Sequence, residues 1–182
     1  MKGKQIASMV LISTSIIGGI ALAAQDRYTV KVPGGLAFSG FRGYEGWQAI
    51  STSSTEKAVA VILGNPAMIE AYRAGIPANG KPVPDGAKMA KIHWKPKPSQ
   101  FFPTATVPGE LLNVDGMVKD SKRFADSGGW GYAVFEYNAA SDTFAPGTAA
   151  SAPPQGNDAK CGFACHTIAT KRDYVFTEFQ KR

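Results

Sequence analysis

The sequence predicts an α+β fold: a mainly antiparallel β-sheet with a few short helices in a single domain. Three observations lead there. Two apolar runs rich in β-branched or aromatic residues, Ala58–Leu63 and Trp130–Tyr137, have the length and composition of strands. Turn-forming residues punctuate the chain at short intervals, with 20 Gly and 12 Pro among 182 residues, which leaves room only for short elements. A chain of this length that is 44% hydrophobic suits one domain and excludes a wholly disordered protein.

Residues 1–24 stand apart from that domain. Lys2 and Lys4 precede an uncharged apolar run that ends in Ala21-Leu22-Ala23-Ala24. This is the three-part pattern of a secretory signal peptide, with small residues at the cleavage position. Ser8, Ser13, Thr14, Ser15, Gly18 and Gly19 dilute the run, so it reads poorly as a membrane anchor. The expected mature chain, residues 25–182, is periplasmic and has no membrane segment. Loss of Lys2 and Lys4 lowers the formal net charge of +6 by two. The remaining excess is mild and does not indicate nucleic-acid binding.

Within the mature chain, Lys31–Gly46 reads as loop because Pro33, Gly34, Gly35, Gly40, Gly43 and Gly46 interrupt it. Ala58–Leu63 reads as a buried strand closed by Gly64-Asn65-Pro66. Asn65 and Pro66 suit the cap and first position of a short helix, stopped at Gly75, with Met68, Ala71 and Tyr72 on one face. Asp85-Gly86 is a turn leading into a strand over Ala87–Trp94, and Pro-rich Lys95–Gly109 follows as loop. Val118–Asp126 reads as a second short helix ended by Gly128-Gly129, and Trp130–Tyr137 as an aromatic strand. Residues 139–157 are small, polar and Pro-rich, a linker-like loop. Asn157 or Asp158 then caps a final helical piece.

That last piece carries the chemistry. It reads Lys160-Cys161-Gly162-Phe163-Ala164-Cys165-His166-Thr167. Two cysteines followed at once by histidine resemble the c-type haem attachment motif, in which thiols add to the haem vinyl groups and the adjacent histidine ligates iron. The usual spacing is C-x-x-C-H, whereas here three residues separate Cys161 from Cys165. Two alternatives stay open on the motif alone. One is a Cys161–Cys165 disulfide in an oxidising compartment. The other is a copper site that His93 completes, since thiolate and imidazole are good copper ligands.

The wider sequence resembles the cytochrome P-460 family, which includes the cytochromes c′-beta. The run from Cys165 to Phe179 is similar to that family's C-terminal haem segment. Asp115–Ala125 followed by Trp130–Phe135 matches its central segment, and Pro84-Asp85-Gly86 leading to Lys91 matches its turn-and-strand motif. Residues 41–182 follow the family in order. The resemblance implies a β-rich homodimer with one covalent haem c per chain, His166 as proximal ligand and an open opposite iron face. It also implies two functions. Members with a lysine joined to the porphyrin rim oxidise hydroxylamine, pass electrons to a redox partner protein and use nitric oxide on the way to nitrous oxide. Members without that link bind nitric oxide. Lys91 matches the lysine position. Asp115 matches a distal carboxylate that is glutamate in the hydroxylamine-oxidising type.

The residues by themselves give blander expectations. Strand alternation puts Lys91 on the less apolar face, in water, and buries Trp94. Asn113-Val114-Asp115-Gly116 reads as ordinary turn chemistry. His93 reads as a polar strand histidine. Met68, Met89 and Met117 suit core packing better than iron ligation. Phe101 and Phe102, in the Pro-rich loop, are candidates to cap the distal side.

Overall fold

The structure, a computed structural model, describes residues 24–31, 36–147 and 157–181. Six strands form one antiparallel sheet whose spatial order follows chain order: β1 (Gln48–Ser54), β2 (Val59–Gly64), β3 (Lys88–Pro98), β4 (Thr106–Lys119), β5 (Trp130–Asn138) and β6 (Thr143–Pro146). Helix α1 (Pro66–Arg73) connects β2 to β3, and α2 (Asn157–His166) follows β6. This is the α+β domain that the strand runs predict. Of the signal-peptide segment only Ala24 is among the described residues, and within those residues no helix is long and apolar enough to cross a membrane.

The entry to α1 forms as its sequence dictates. Asn65 Oδ1 accepts from the Met68 N–H at 3.1 Å and from the Lys88 N–H at 2.9 Å, while its amide donates to the Gly86 carbonyl at 2.9 Å. One side chain therefore caps the helix and ties it to the start of β3. Asn65→Ala removes both functions and is expected to cost about 1–2 kcal/mol, the upper range for a lost cap, measured by urea unfolding. A change inside about 0.5 kcal/mol, typical of neutral surface substitutions, contradicts this role.

Elsewhere long-range pairing overrides local signals. The expected loop Lys95–Gly109 is mostly strand, because β3 continues to Pro98 and β4 begins at Thr106. At this end the two strands pair only with each other, so each proline's missing N–H can face the side without a neighbour, and register shifts accommodate Pro96. The expected helix Val118–Asp126 is instead the end of β4, a turn, and a single 3-10 turn at Ala125–Ser127. There the Asp120 carboxylate accepts from the Arg123 N–H at 3.0 Å. Strand β1 is too polar to show in the sequence. Strand β6 lies inside the expected linker, of which residues 148–156 fall outside the described residues.

Both faces of the sheet are covered. Ala90, Gly116 and Ala133 stand side by side on β3, β4 and β5 and form a shallow trough. Phe41 fills it, and a Cβ at Gly116 would collide with the Phe41 ring. Phe38 stacks on Phe135 with ring centroids 4.3 Å apart. The segment Lys31–Gly46, expected as bare loop, thus supplies Phe38, Phe41 and Tyr44 to one core through 3-10 turns, with residues 32–35 outside the description. The opposite face packs α1, α2 and the C-terminal segment around a second core containing Met68, Ile69, Trp130, Tyr132 and Val175.

Candidate functional site

The second face is built in rows. Register places Ile62, Lys91, Asp115 and Val134 next to one another on β2, β3, β4 and β5. On one side of that row stand Gly64, Met89, Met117 and Tyr132, and on the other Ala60, His93, Asn113 and Glu136. Residues opposed across antiparallel strands share a face, and alternate residues repeat it, so the three rows form one surface. With the C-terminal segment over it, this surface bounds a cavity of about 590 Å³, within the range of cofactor sites. Ile62, Met89, Met117, Tyr132, Val175 and Phe176 give it apolar walls. Lys91, Asp115 and His166 all line it. Lys91 is half-buried, contrary to the alternation reading, because the C-terminal segment partly covers its face of the sheet.

His166 ends α2. One turn earlier, Gly162 lets the helix lie against β5, since a Cβ there would stand 3.3 Å from the Tyr132 ring. The imidazole sits between Tyr132 and Phe176, with ring centroids at 5.2 Å and 4.5 Å. Its Nδ1 lies 2.5 Å from the Tyr174 carbonyl oxygen. A carbonyl only accepts, so Nδ1 carries the hydrogen and Nε2 keeps its lone pair. Burial holds the histidine below its ordinary pKa, and the charge of Lys91 acts in the same direction, while Tyr174 and Asp115 oppose it. The group is therefore biased toward neutral imidazole, the form that binds metals.

Asp115 is held at both oxygens. His93 Nε2 lies 2.9 Å from Oδ2, and the Asn113 amide donates to Oδ1. His93 thus turns to Asp115, and the expected turn at Asn113–Gly116 is strand β4. Cys165 is an exposed free thiol beside His166. Position 161 lies four residues earlier on the same helix. At about 100° per residue, a fourth residue departs from the starting direction by about 40° and a third by about 60°. The extra residue in the motif therefore leaves positions 161 and 165 on one helix face. Among the described residues no group of three or more His, Cys, Asp or Glu side chains could hold a metal ion by itself. Met68 is core, and Met89 and Met117 are cavity wall. Phe101 and Phe102 are 91% and 67% exposed at the tip of the β3–β4 hairpin and do not line the cavity.

A largely apolar cavity that one imidazole, with Nε2 left free, lines from a thiol-bearing helix suits an iron porphyrin, and the domain belongs to the haem-binding class. The family model described as Cytochrome P460 matches residues 41–177, and the protein is a member of that family, a monohaem cytochrome. No curated protein matches the chain. The residues present fit the group: the cavity is large enough, its walls are apolar for the larger part, and His166 offers Nε2. Tyr132, Phe176, Asn113 and the Tyr174 carbonyl belong to the same site. Tyr132, Tyr174 and Phe176 fall within segments that resemble the family and Asn113 does not, but nothing in their residue types marks a place at the site, because each acts through tertiary position.

Proposed function

We propose that the protein is an exported c-type cytochrome that oxidises hydroxylamine at a lysine-modified haem. The convergence of His166, Lys91 and Asp115 on one cavity carries this reading. Cys161 and Cys165 would hold the porphyrin through thioether bonds, and His166 would ligate its iron. When bound, the haem supplies a redox-active metal that withdraws electrons from a nitrogen ligand. Hydroxylamine and nitric oxide together yield nitrous oxide, water, one proton and one electron. Asp115 takes the proton, because its carboxylate lines the cavity and His93 and Asn113 fix its orientation there. An external acceptor protein takes the electron. Export to the periplasm and assembly as a homodimer complete the reading.

Lys91 decides between the two functions of the family. In this reading its Nζ is joined to the porphyrin rim. Such a link would replace one N–H and one C–H by one N–C bond, so forming it would take a two-electron oxidant such as a peroxide, reduced to water. Lys91→Arg keeps the charge and cannot make the same link. The variant is expected to retain haem, to lose the red displacement of the ferrous Soret band and to lose hydroxylamine turnover. Identical spectra in parent and variant would make Lys91 an ordinary strand lysine and the protein a nitric-oxide binder of the c′-beta type.

A further inference from the structure

The segment that carries the Tyr174 carbonyl has an unusual backbone. Asp173 and Tyr174 have φ of +48° and +63°, a left-handed conformation that residues with side chains seldom adopt and that structures hold only where surroundings enforce it. The surroundings here are the end of a 3-10 helix, where the Asp173 and Tyr174 N–H groups donate to the Thr170 and Ala169 carbonyls, and a buried ion pair. Lys119 Nζ lies 2.9 Å from both carboxylate oxygens of Asp173, and the two side chains are 6% and 12% exposed. Lys119 also donates to the Gly128 carbonyl at 2.9 Å. The Asp173 carboxylate accepts from the Val83 N–H at 2.8 Å, and its carbonyl accepts from Trp130 Nε1–H at 2.8 Å. Gly128 leaves space for the Tyr174 ring, which a Cβ at that position would strike.

These contacts fix one turn from β4, β5 and the loop before β3, and the turn's next carbonyl meets His166 Nδ1. We infer that Lys119 and Asp173 are positioning residues for the iron ligand: they hold the Tyr174 carbonyl on Nδ1–H and so set the orientation and basicity of His166. A hydrogen bond donated from Nδ1 makes an imidazole a stronger electron donor toward its metal. Stronger donation favours ferric over ferrous iron and lowers the reduction potential. Strand β4 then serves both sides of the cavity, with Asp115 in its wall and Lys119 at its end.

The inference rests on His166 as ligand and is independent of the substrate. Its test uses the full-length haem-loaded protein and the variant Lys119→Met/Asp173→Asn. That pair removes one charge of each sign, so a shift in potential reports position and not net charge. The iron–histidine stretch, read by resonance Raman in the ferrous state, is expected to fall to lower frequency, and the reduction potential to rise. Lys119→Arg, which keeps charge and donors, is expected to return both toward parental values. A folded double variant with parental stretch and potential overturns the inference. If the double variant does not fold, Asp173→Asn read by the same stretch decides the matter: a lower frequency supports the inference and a parental one overturns it. Absence of any iron–histidine stretch in the parent would instead refute His166 as ligand, a separate failure.

Discussion

His166→Ala is expected to leave the chain folded and to abolish stable five-coordinate haem iron. The imidazole contributes little to the core, being half-buried at the end of α2 with Tyr132 and Phe176 on its flanks. What it contributes is the Nε2 lone pair, which the Tyr174 hydrogen bond at Nδ1 leaves available to a metal. Removing it leaves a space bounded by two aromatic rings, so added imidazole should enter and partly restore the ferric spectrum. Far-ultraviolet circular dichroism checks the fold and the Soret band checks the ligand. A variant with an unchanged Soret spectrum would remove His166 from the iron.

Lys119→Met carries the largest expected loss of stability. It leaves the Asp173 carboxylate buried without its cation, with the Val83 N–H still donating to it. Breaking one side of a buried pair typically costs about 3–5 kcal/mol, because the orphaned charge keeps its desolvation penalty. Urea unfolding of Lys119→Met should show a loss of that order. Adding Asp173→Asn should recover a large part of it, since the neutral amide has far less hydration to lose. A single variant within about 1 kcal/mol of the parent, as for an exposed pair, contradicts this account of the turn.

What the sequence revealed and what it hid follow from the range of the interactions. Strands β2 and β5, the cap at Asn65 and the helix through Cys161 and Cys165 are local, set by residues a few positions apart. Their residue types therefore announce them. Strands β1 and β6 exist because a neighbour offers a hydrogen-bonding edge, and nothing within Gln48–Ser54 or Thr143–Pro146 advertises that edge. The Pro-rich stretch misleads for a related reason. Proline excludes a central strand, and only the pairing shows that this part of the hairpin has a free side. At the site, His166 is legible from its motif, while Lys91 and Asp115 are legible only through the family resemblance. By alternation alone Lys91 belonged in water, and its burial depends on a segment some 80 residues later in the chain. Asp173 and Tyr174 fall within the family-like run, but nothing in their residue types marks the left-handed turn, which is held in part by partners as distant as Val83.

The most direct measurement is the optical spectrum of the protein, produced in a host that attaches c-type haem and read ferric and then dithionite-reduced, with intact mass on the same sample. A mass that includes one haem per chain, with a ferrous Soret band far to the red of ordinary c-type haem, is the result expected for a lysine-linked cytochrome that oxidises hydroxylamine. A haem-bearing protein whose ferrous band lies in the ordinary c-type position contradicts the Lys91 link and leaves a nitric-oxide-binding cytochrome. A colourless protein of unmodified mass contradicts the haem assignment itself.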